Sequence, residues 1–266
     1  MHIYIYADYL GEKKYYRTIA NIETRLTDLG QHGKIIRMEA LKSVSDTVLA
    51  EIKHGAKTIT AVGDDNLVNQ VASAIANSYY YDYLSNNIPL GIIPIGKNNN
   101  LLANFFGIPK EELACEVLAA RRIEKIDLGL ARLIRLHKGV TDFNQKSQKV
   151  NYYFLSQVNI NTQDTILEID YDYTLEISEV GEINVINFPT FFNLPKNVDS
   201  SPQDGKLELF VKTGKIMQTF LSPKKLIIFN KHLPLILDNS VEMPASAEIT
   251  VVKQGLNIIV GRERNF

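Results

Sequence analysis

The chain has 266 residues, 45% of them apolar, and a formal net charge of −1. That apolar share supplies one large or two ordinary cores and excludes a disordered chain. Near-neutral charge without a long basic run argues against nucleic acid as a partner, and a single cysteine, Cys115, excludes an internal disulfide framework and points to a reducing, cytoplasmic setting.

The first elements alternate in type. Ile3–Tyr6 reads as a strand directly after Met1, so the sequence predicts no secretory leader. A helix through Ile19, Ile22, Leu26 and Leu29 follows, with Gly30 as its cap. Lys34–Met38 reads as a strand, and Val44, Val48, Leu49 and Ile52 mark one face of a helix that Ser43 or Ser45 starts. Thr58–Val62 is then a strand, Gly63-Asp64-Asp65-Asn66 a turn, and Leu67, Val68, Val71, Ala72 and Ile75 recur at helical spacing. The plan repeats at once: Ile88–Ile95 is a strand, Gly96-Lys97-Asn98-Asn99-Asn100 a turn fit to cap a helix, and Leu101–Phe106 a helix closed by Gly107 and Pro109. In a parallel sheet both turns lie at the carboxyl edge, where helix N-termini present N–H groups to an anion, phosphate above all. A further helix runs from Glu111-Glu112 to Arg121-Arg122, with Leu113, Val117 and Leu118 on its core face and Cys115 as a small buried residue.

From Ile126 the pattern changes to short segments of period two, at Ile126–Leu130, Tyr152–Phe154, Leu175–Ile177, Leu207–Val211, Ile249–Val251 and Ile258–Val260. Lys138–Lys149 reads as a solvated hairpin loop. The expected architecture is a doubly wound, Rossmann-like α/β domain over residues 1–123, followed by an antiparallel, β-sandwich-like domain over residues 124–266. No run approaches the roughly 18 uninterrupted apolar residues of a membrane span.

Several stretches carry a resemblance. Ala61-Val62-Gly63-Asp64-Asp65-Asn66-Leu67-Val68-Asn69-Gln70-Val71-Ala72 is similar to the V-A-G-G-D-G-T-V-N-E-V-A of the diacylglycerol kinase catalytic-domain family, which includes bacterial lipid kinases and sphingosine kinases. Pro94–Asn100 resembles its P-L-G-T-G-N-D, Phe106–Pro109 its A-L-G-I-P, and Ile126-Asp127-Leu128-Gly129 its I-D-L-G. Asp199 to Phe210 resembles D-A-D-P-D-D-G-L-L-D-V, and Leu237-Asp238-Asn239-Ser240 resembles V-D-G-E. The order and spacing match along nearly the whole chain.

The resemblance implies an NAD kinase/diacylglycerol kinase-like fold and ATP- and Mg²⁺-dependent phosphoryl transfer to the hydroxyl of a diacylglycerol-like lipid. It assigns Gly63, Asp65, Asn69, Gly96, Lys97 and Asn99 to the nucleotide, Asp65, Asp127, Asp199 and Asp204 to metal, and Asp238 to the general base. Implied partners are a nucleotide and a lipid met at the inner face of a membrane, peripherally and not integrally; a homodimer stays open. The chain departs from the pattern where Asp64, Asn66 and Leu67 replace two glycines and a threonine, where Lys97, Asn98 and Asn100 replace threonine, glycine and an acid, and where Ser240 replaces an acid. Ala7-Asp8-Tyr9-Leu10-Gly11 stands for the family's opening N-P-x-x-G. Those departures support the alternative, a catalytically degenerate homologue that binds lipid, nucleotide or a protein partner without turnover. An NAD kinase would also need a G-S-T-A-Y-like segment, which is absent. The five histidines show no metal spacing.

Overall fold

The computed structural model describes residues 1–39, 41–82, 88–96, 100–134, 151–190, 198, 200–214, 217–230 and 232–266. Lys97, Asn98, Asn99, Lys138–Lys149 and Asp199 lie outside the described residues. Contacts divide the chain into two units, Met1–Ile126 with Gln254–Phe266, and Asp127–Lys253. Sequence patterning carries the β-rich half to Phe266, whereas the residues from Gln254 group with the first unit.

The first unit grows from β1 (His2–Tyr6), α1 (Tyr16–Asp28), β2 (Gly33–Arg37), α2 (Val44–Lys53), β3 (Thr58–Gly63), α3 (Asp65–Asp82), β4 (Leu90–Pro94), α4 (Leu101–Phe105) and α5 (Glu111–Ala120). The strands pair in parallel in the order β2-β1-β3-β4. β3 and β4 are buried at every residue, as a central parallel strand covered on both faces must be. Ser43 starts α2 as its spacing predicts, its Oγ accepting from Asp46 N at 3.2 Å. Gly30 follows α1 in the left-handed region (φ 68°) and Gly107 follows α4 likewise (φ 75°). Leu113 departs from its expected place: it is 44% exposed, and Ala114 and Cys115 join Val117 and Leu118 in the core face of α5. Burial of Cys115 pushes its thiol up to about 11, so it stays protonated and unreactive at neutral pH.

The second unit is antiparallel. After β5 (Ile123–Leu133) come β6 (Asn151–Phe154), β7 (Gln157–Thr162), β8 (Thr165–Ile169), β9 (Tyr173–Ile177), β10 (Gly181–Ile186), β11 (Glu208–Thr213), β12 (Met217–Leu221), β13 (Lys225–Phe229), β14 (Leu235–Leu237), β15 (Val241–Met243) and β16 (Ala247–Ile259). One sheet runs β12-β11-β10-β7-β14-β15, and β8 lies between β9 and β13, which pairs with the start of β16. Its core includes Phe154, Val158, Leu167, Ile183, Leu209 and Leu226. The periodicity at Ile249–Val251 and Ile258–Val260 reads as two strands, but β16 is one long strand. Its end at Ile258 pairs in parallel with Leu90 of β4.

Candidate functional site

In the first unit, the carboxyl ends of β3 and β4 lead into the two turns that open α3 and α4. Asp64 caps α3: its Oδ1 accepts from Leu67 N at 3.2 Å and its carbonyl from Val68 N at 3.1 Å. Asp65 faces the other turn. Its Oδ2 accepts from Leu101 N at 2.8 Å and its Oδ1 from Leu102 N at 3.2 Å, so one carboxylate supplies the cap of α4 from across the sheet edge. The sequence predicts that Asn98–Asn100 does this locally. Asn100 does occupy the cap position, yet its side chain makes no cap bond, and its Oδ1 is buried without a partner among the described residues. An ionised acceptor facing two amides is the stronger cap, and it wins.

Tyr9 spans the same edge. It sits in a 3-10 turn, Asp8–Gly11, after β1, and its hydroxyl donates to the Ile95 carbonyl at 2.6 Å. A Cβ on Gly63 would lie 3.3 Å from Tyr9 Oη, and one on Gly96 3.2 Å from it. Burial first, then the neighbouring Asp64 carboxylate, raises the Tyr9 pKa, which keeps the phenol protonated and a donor. Asn69 lies one turn beyond Asp65 on α3, only 6% exposed, with both amide atoms unpartnered among the described residues. The structure therefore places Gly63 and Gly96 beside Tyr9 and Asp65 at the start of α4, while Asn69 follows Asp65 along α3.

In the second unit, Asp127 on β5 is 1% exposed and accepts from Gly205 N at 2.6 Å, while its own amide donates to the Pro202 carbonyl. Asp204 accepts from Ser201 N at 3.3 Å and Lys206 N at 2.9 Å. Sequence reading singled out neither Glu208 nor Asn187. Glu208 is the acid near the end of the Asp199–Phe210 motif; it is 2% exposed, accepts from Ser200 Oγ at 2.8 Å, and burial pushes its carboxyl up to about 7. Asn187 donates to the carbonyls of Asp127 and Leu155, and no sequence pattern marks it. These bonds join the Asp127 and Asp204 turns into one polar cluster.

That cluster extends to Asp238. A turn at Asp238-Asn239, with φ of 47° and 56°, joins β14 to β15, and Ser240 N closes it on the Leu237 carbonyl. The Asp238 carboxylate is buried and accepts from Leu155 N at 2.7 Å, Ser156 N at 2.8 Å and Gln157 N at 3.0 Å. Desolvation outweighs those three donors and pushes its carboxyl up to about 6, so most of it is ionised at neutral pH.

The donor set bears directly on a divalent cation. Among the described residues no group of three or more His, Cys, Asp or Glu lies close enough to hold a metal ion. Both oxygens of Asp204, and one of Asp127, already face backbone N–H donors. The described residues do not form a cation cage.

Comparison with known proteins agrees with the fold. Residues 3–131 match the family described as Diacylglycerol kinase catalytic domain. The match falls on the α/β half of the chain, which is similar to that family. A curated relative, "Putative lipid kinase SH2167" of Staphylococcus haemolyticus (strain JCSC1435), is 24% identical over 98% of this chain and 83% of its own length. Two solved structures from Bacillus anthracis str. Sterne, titled as a "putative diacylglycerol kinase" and "a diacylglycerol kinases", superpose with TM-scores of 0.73 and 0.72 at 14% and 17% identity. Each covers 98% of this chain and 97% of that one. The fold is shared with these solved structures, and the chain is similar in sequence to a lipid kinase relative. No helix among the described residues is long and apolar enough to cross a membrane.

Proposed function

We propose that the chain transfers a phosphoryl group from ATP, taken up with Mg²⁺, to the hydroxyl of a diacylglycerol-like lipid at a membrane surface. One observation carries this reading: Asn69, one turn beyond Asp65 on α3, is buried with both amide atoms unpartnered among the described residues, a polar group kept where the fold makes no use of it. ATP brings a phosphoryl group already activated for transfer, and such a reaction draws most of its rate from positioning and charge neutralisation. In this reading Gly63 and Gly96 allow close approach of the phosphates, and the Asn69 amide, unpartnered among the described residues, donates to them. Lys97 and Asn99 join from the same turn. The acids Asp65, Asp127, Asp199 and Asp204 are proposed metal-linked residues; no step is routed through a cation, because the described donors do not cage one. Asp238, largely ionised at neutral pH, takes the lipid hydroxyl proton.

A second reading, a degenerate homologue that binds without turnover, is favoured by the placement of Asp238. Its carboxylate faces three backbone amides, which is what a loop anchor does. Labelled ATP with Mg²⁺ and mixed vesicles of diacylglycerol and anionic phospholipid separates the two. The kinase reading expects a labelled lipid from the wild type and none from Asp238→Asn. No labelled lipid from the wild type, together with a thermal shift by ATP, would establish the second reading; a ligand at a hundredfold its Kd adds about 2.7 kcal/mol of stability.

A further inference from the structure

We infer that the amino edge of the parallel sheet in the first unit, at His2, Lys57 and Arg121, binds a phosphate-class oxyanion, free or as a lipid headgroup. β1 and β3 start side by side there. His2 stands opposite Thr58 in the parallel register, and the Lys57 amide donates to the Met1 carbonyl at 2.9 Å. Residues paired across neighbouring strands share a face of the sheet, so His2 and Thr58 lie on one side. Arg121 reaches the same place from the end of α5, its Nη1 donating to Thr58 Oγ1 at 2.8 Å. β3 has six residues, so this edge lies about 17 Å from the turn at Gly63, and the site stands or falls apart from the kinase reading.

The charge balance at this edge is one-sided. Burial lowers the His2 pKa, and the charges that lower it further are Arg121, the Met1 amino group and Lys57; no carboxylate acts on it. Neither Lys57 nor Arg121 pairs with an acid among the described residues, whereas Arg25, Lys34 and Arg37 of the same unit each do. Gathering cations without a counter-charge costs free energy, which a bound anion offsets. Arg121 adds a separate indication. It follows α5 in the left-handed region (φ 50°), where glycine is the favoured residue, so an arginine is kept there against the backbone preference. Of its five N–H donors one serves Thr58, which leaves the rest of a planar fork for phosphate oxygens beside the neutral imidazole and the Lys57 ammonium. A bound anion would also reverse the repulsion felt by His2, so its pKa rises as phosphate binds.

Titration of the full chain with sodium phosphate, read on the His2 imidazole signals by NMR and compared with sodium chloride at equal ionic strength, tests this. A saturable change specific to phosphate, with a raised His2 pKa, is expected. Lys57→Gln and Arg121→Gly should each weaken binding about tenfold, the latter with stability kept, because glycine suits that backbone. Vesicles of phosphatidylcholine with and without phosphatidic acid separate the sources. Sedimentation that needs the acidic lipid and is lost in the double variant makes the headgroup the ligand; saturation by phosphate without such sedimentation makes it the free anion. The inference is overturned when His2 responds alike to chloride and phosphate and no acidic-vesicle binding depends on the two residues, or when the folded variants keep wild-type affinity. Should Arg121→Gly not fold, Lys57→Gln, a change at an exposed side chain, decides alone.

Discussion

Asp65 should matter to stability before it matters to chemistry. Its carboxylate receives the first two amides of α4, and Leu102, which carries one of them, is fully buried with Ala103 and Phe105 close to it in exposure. A five-residue helix cannot hold itself, and the local cap residue contributes no side-chain bond. Asp65→Ala leaves both amides without this acceptor, and hydrogen bonds to an ionised group contribute about 1.5–3 kcal/mol each, so a loss of about 3 kcal/mol is expected after partial solvation of the Leu101 amide. Asp65→Asn keeps one acceptor and should lose about half as much. Urea denaturation gives the totals, and hydrogen exchange resolved over residues 100–108 locates them, because α4 amides should lose protection in Asp65→Ala while those of β1 keep theirs. A cost under about 0.5 kcal/mol, with α4 exchange unchanged, would refute the cross-edge cap.

Gly96→Ala should destabilise the wild type by about 1 kcal/mol through its 3.2 Å approach to the Tyr9 hydroxyl, yet cost nothing in a Tyr9→Ala background; its next contact, Asp64 Cβ at 3.7 Å, is ordinary, and an additive double-mutant cycle would put Tyr9 elsewhere. Asp238→Ala removes the acceptor of three buried amides and a side chain tolerant of the left-handed turn, so a loss of about 3–5 kcal/mol is expected, whereas Asp238→Asn, which keeps the turn preference and one acceptor, should lose less than half of that by the same denaturation assay. Glu208 and Asp238 are both raised, from 4.5 to about 7 and from 3.8 to about 6. The folded chain therefore holds protons that the unfolded chain releases, and their contribution, fully present below pH 4, is lost as pH rises through 6 and 7. Glu208→Gln should flatten the fall in unfolding free energy between pH 5 and pH 8 by up to about 3 kcal/mol; an unchanged slope would remove Glu208 from the account.

How far the sequence reveals the molecule depends on which physical force decides each element. The α/β half is legible because parallel strands buried on both faces, such as β3 and β4, write continuous apolar runs, and Ser43, Gly30 and Gly107 mark helix ends by local chemistry. β7, β8 and β10 are harder. Gln157–Thr162 alternates with asparagines on a partly buried face, so their burial comes from partners distant in sequence. The same holds at the site. Residue types and spacing put Gly63, Asp65 and Gly96 at a sheet edge, but nothing local reveals that Asp65 caps a helix thirty-six residues away, that Tyr9 reaches Ile95, or that Asn187 ties Asp127 to Leu155.

That division alters what the retained acids mean. Asp65, Asp127, Asp204 and Asp238 each accept from backbone amides, so each is needed by the fold whether or not phosphate is ever transferred. Their presence follows equally from a kinase and from a degenerate homologue. The glycines carry the same ambiguity, since a Cβ on Gly96 would crowd Tyr9, and one on Gly63 would crowd Ala7, Leu67 and Tyr9, with no nucleotide needed to explain either. What separates the readings is a residue that the fold can spare. Asn69 is such a residue: its amide is buried at an energetic cost and returns no hydrogen bond among the described residues. Replacing it with an apolar residue of similar size, Asn69→Leu, should leave the stability of the empty chain equal or higher while weakening ATP binding in titration. A stability loss without any change in ATP affinity would instead make Asn69 one more support of the fold.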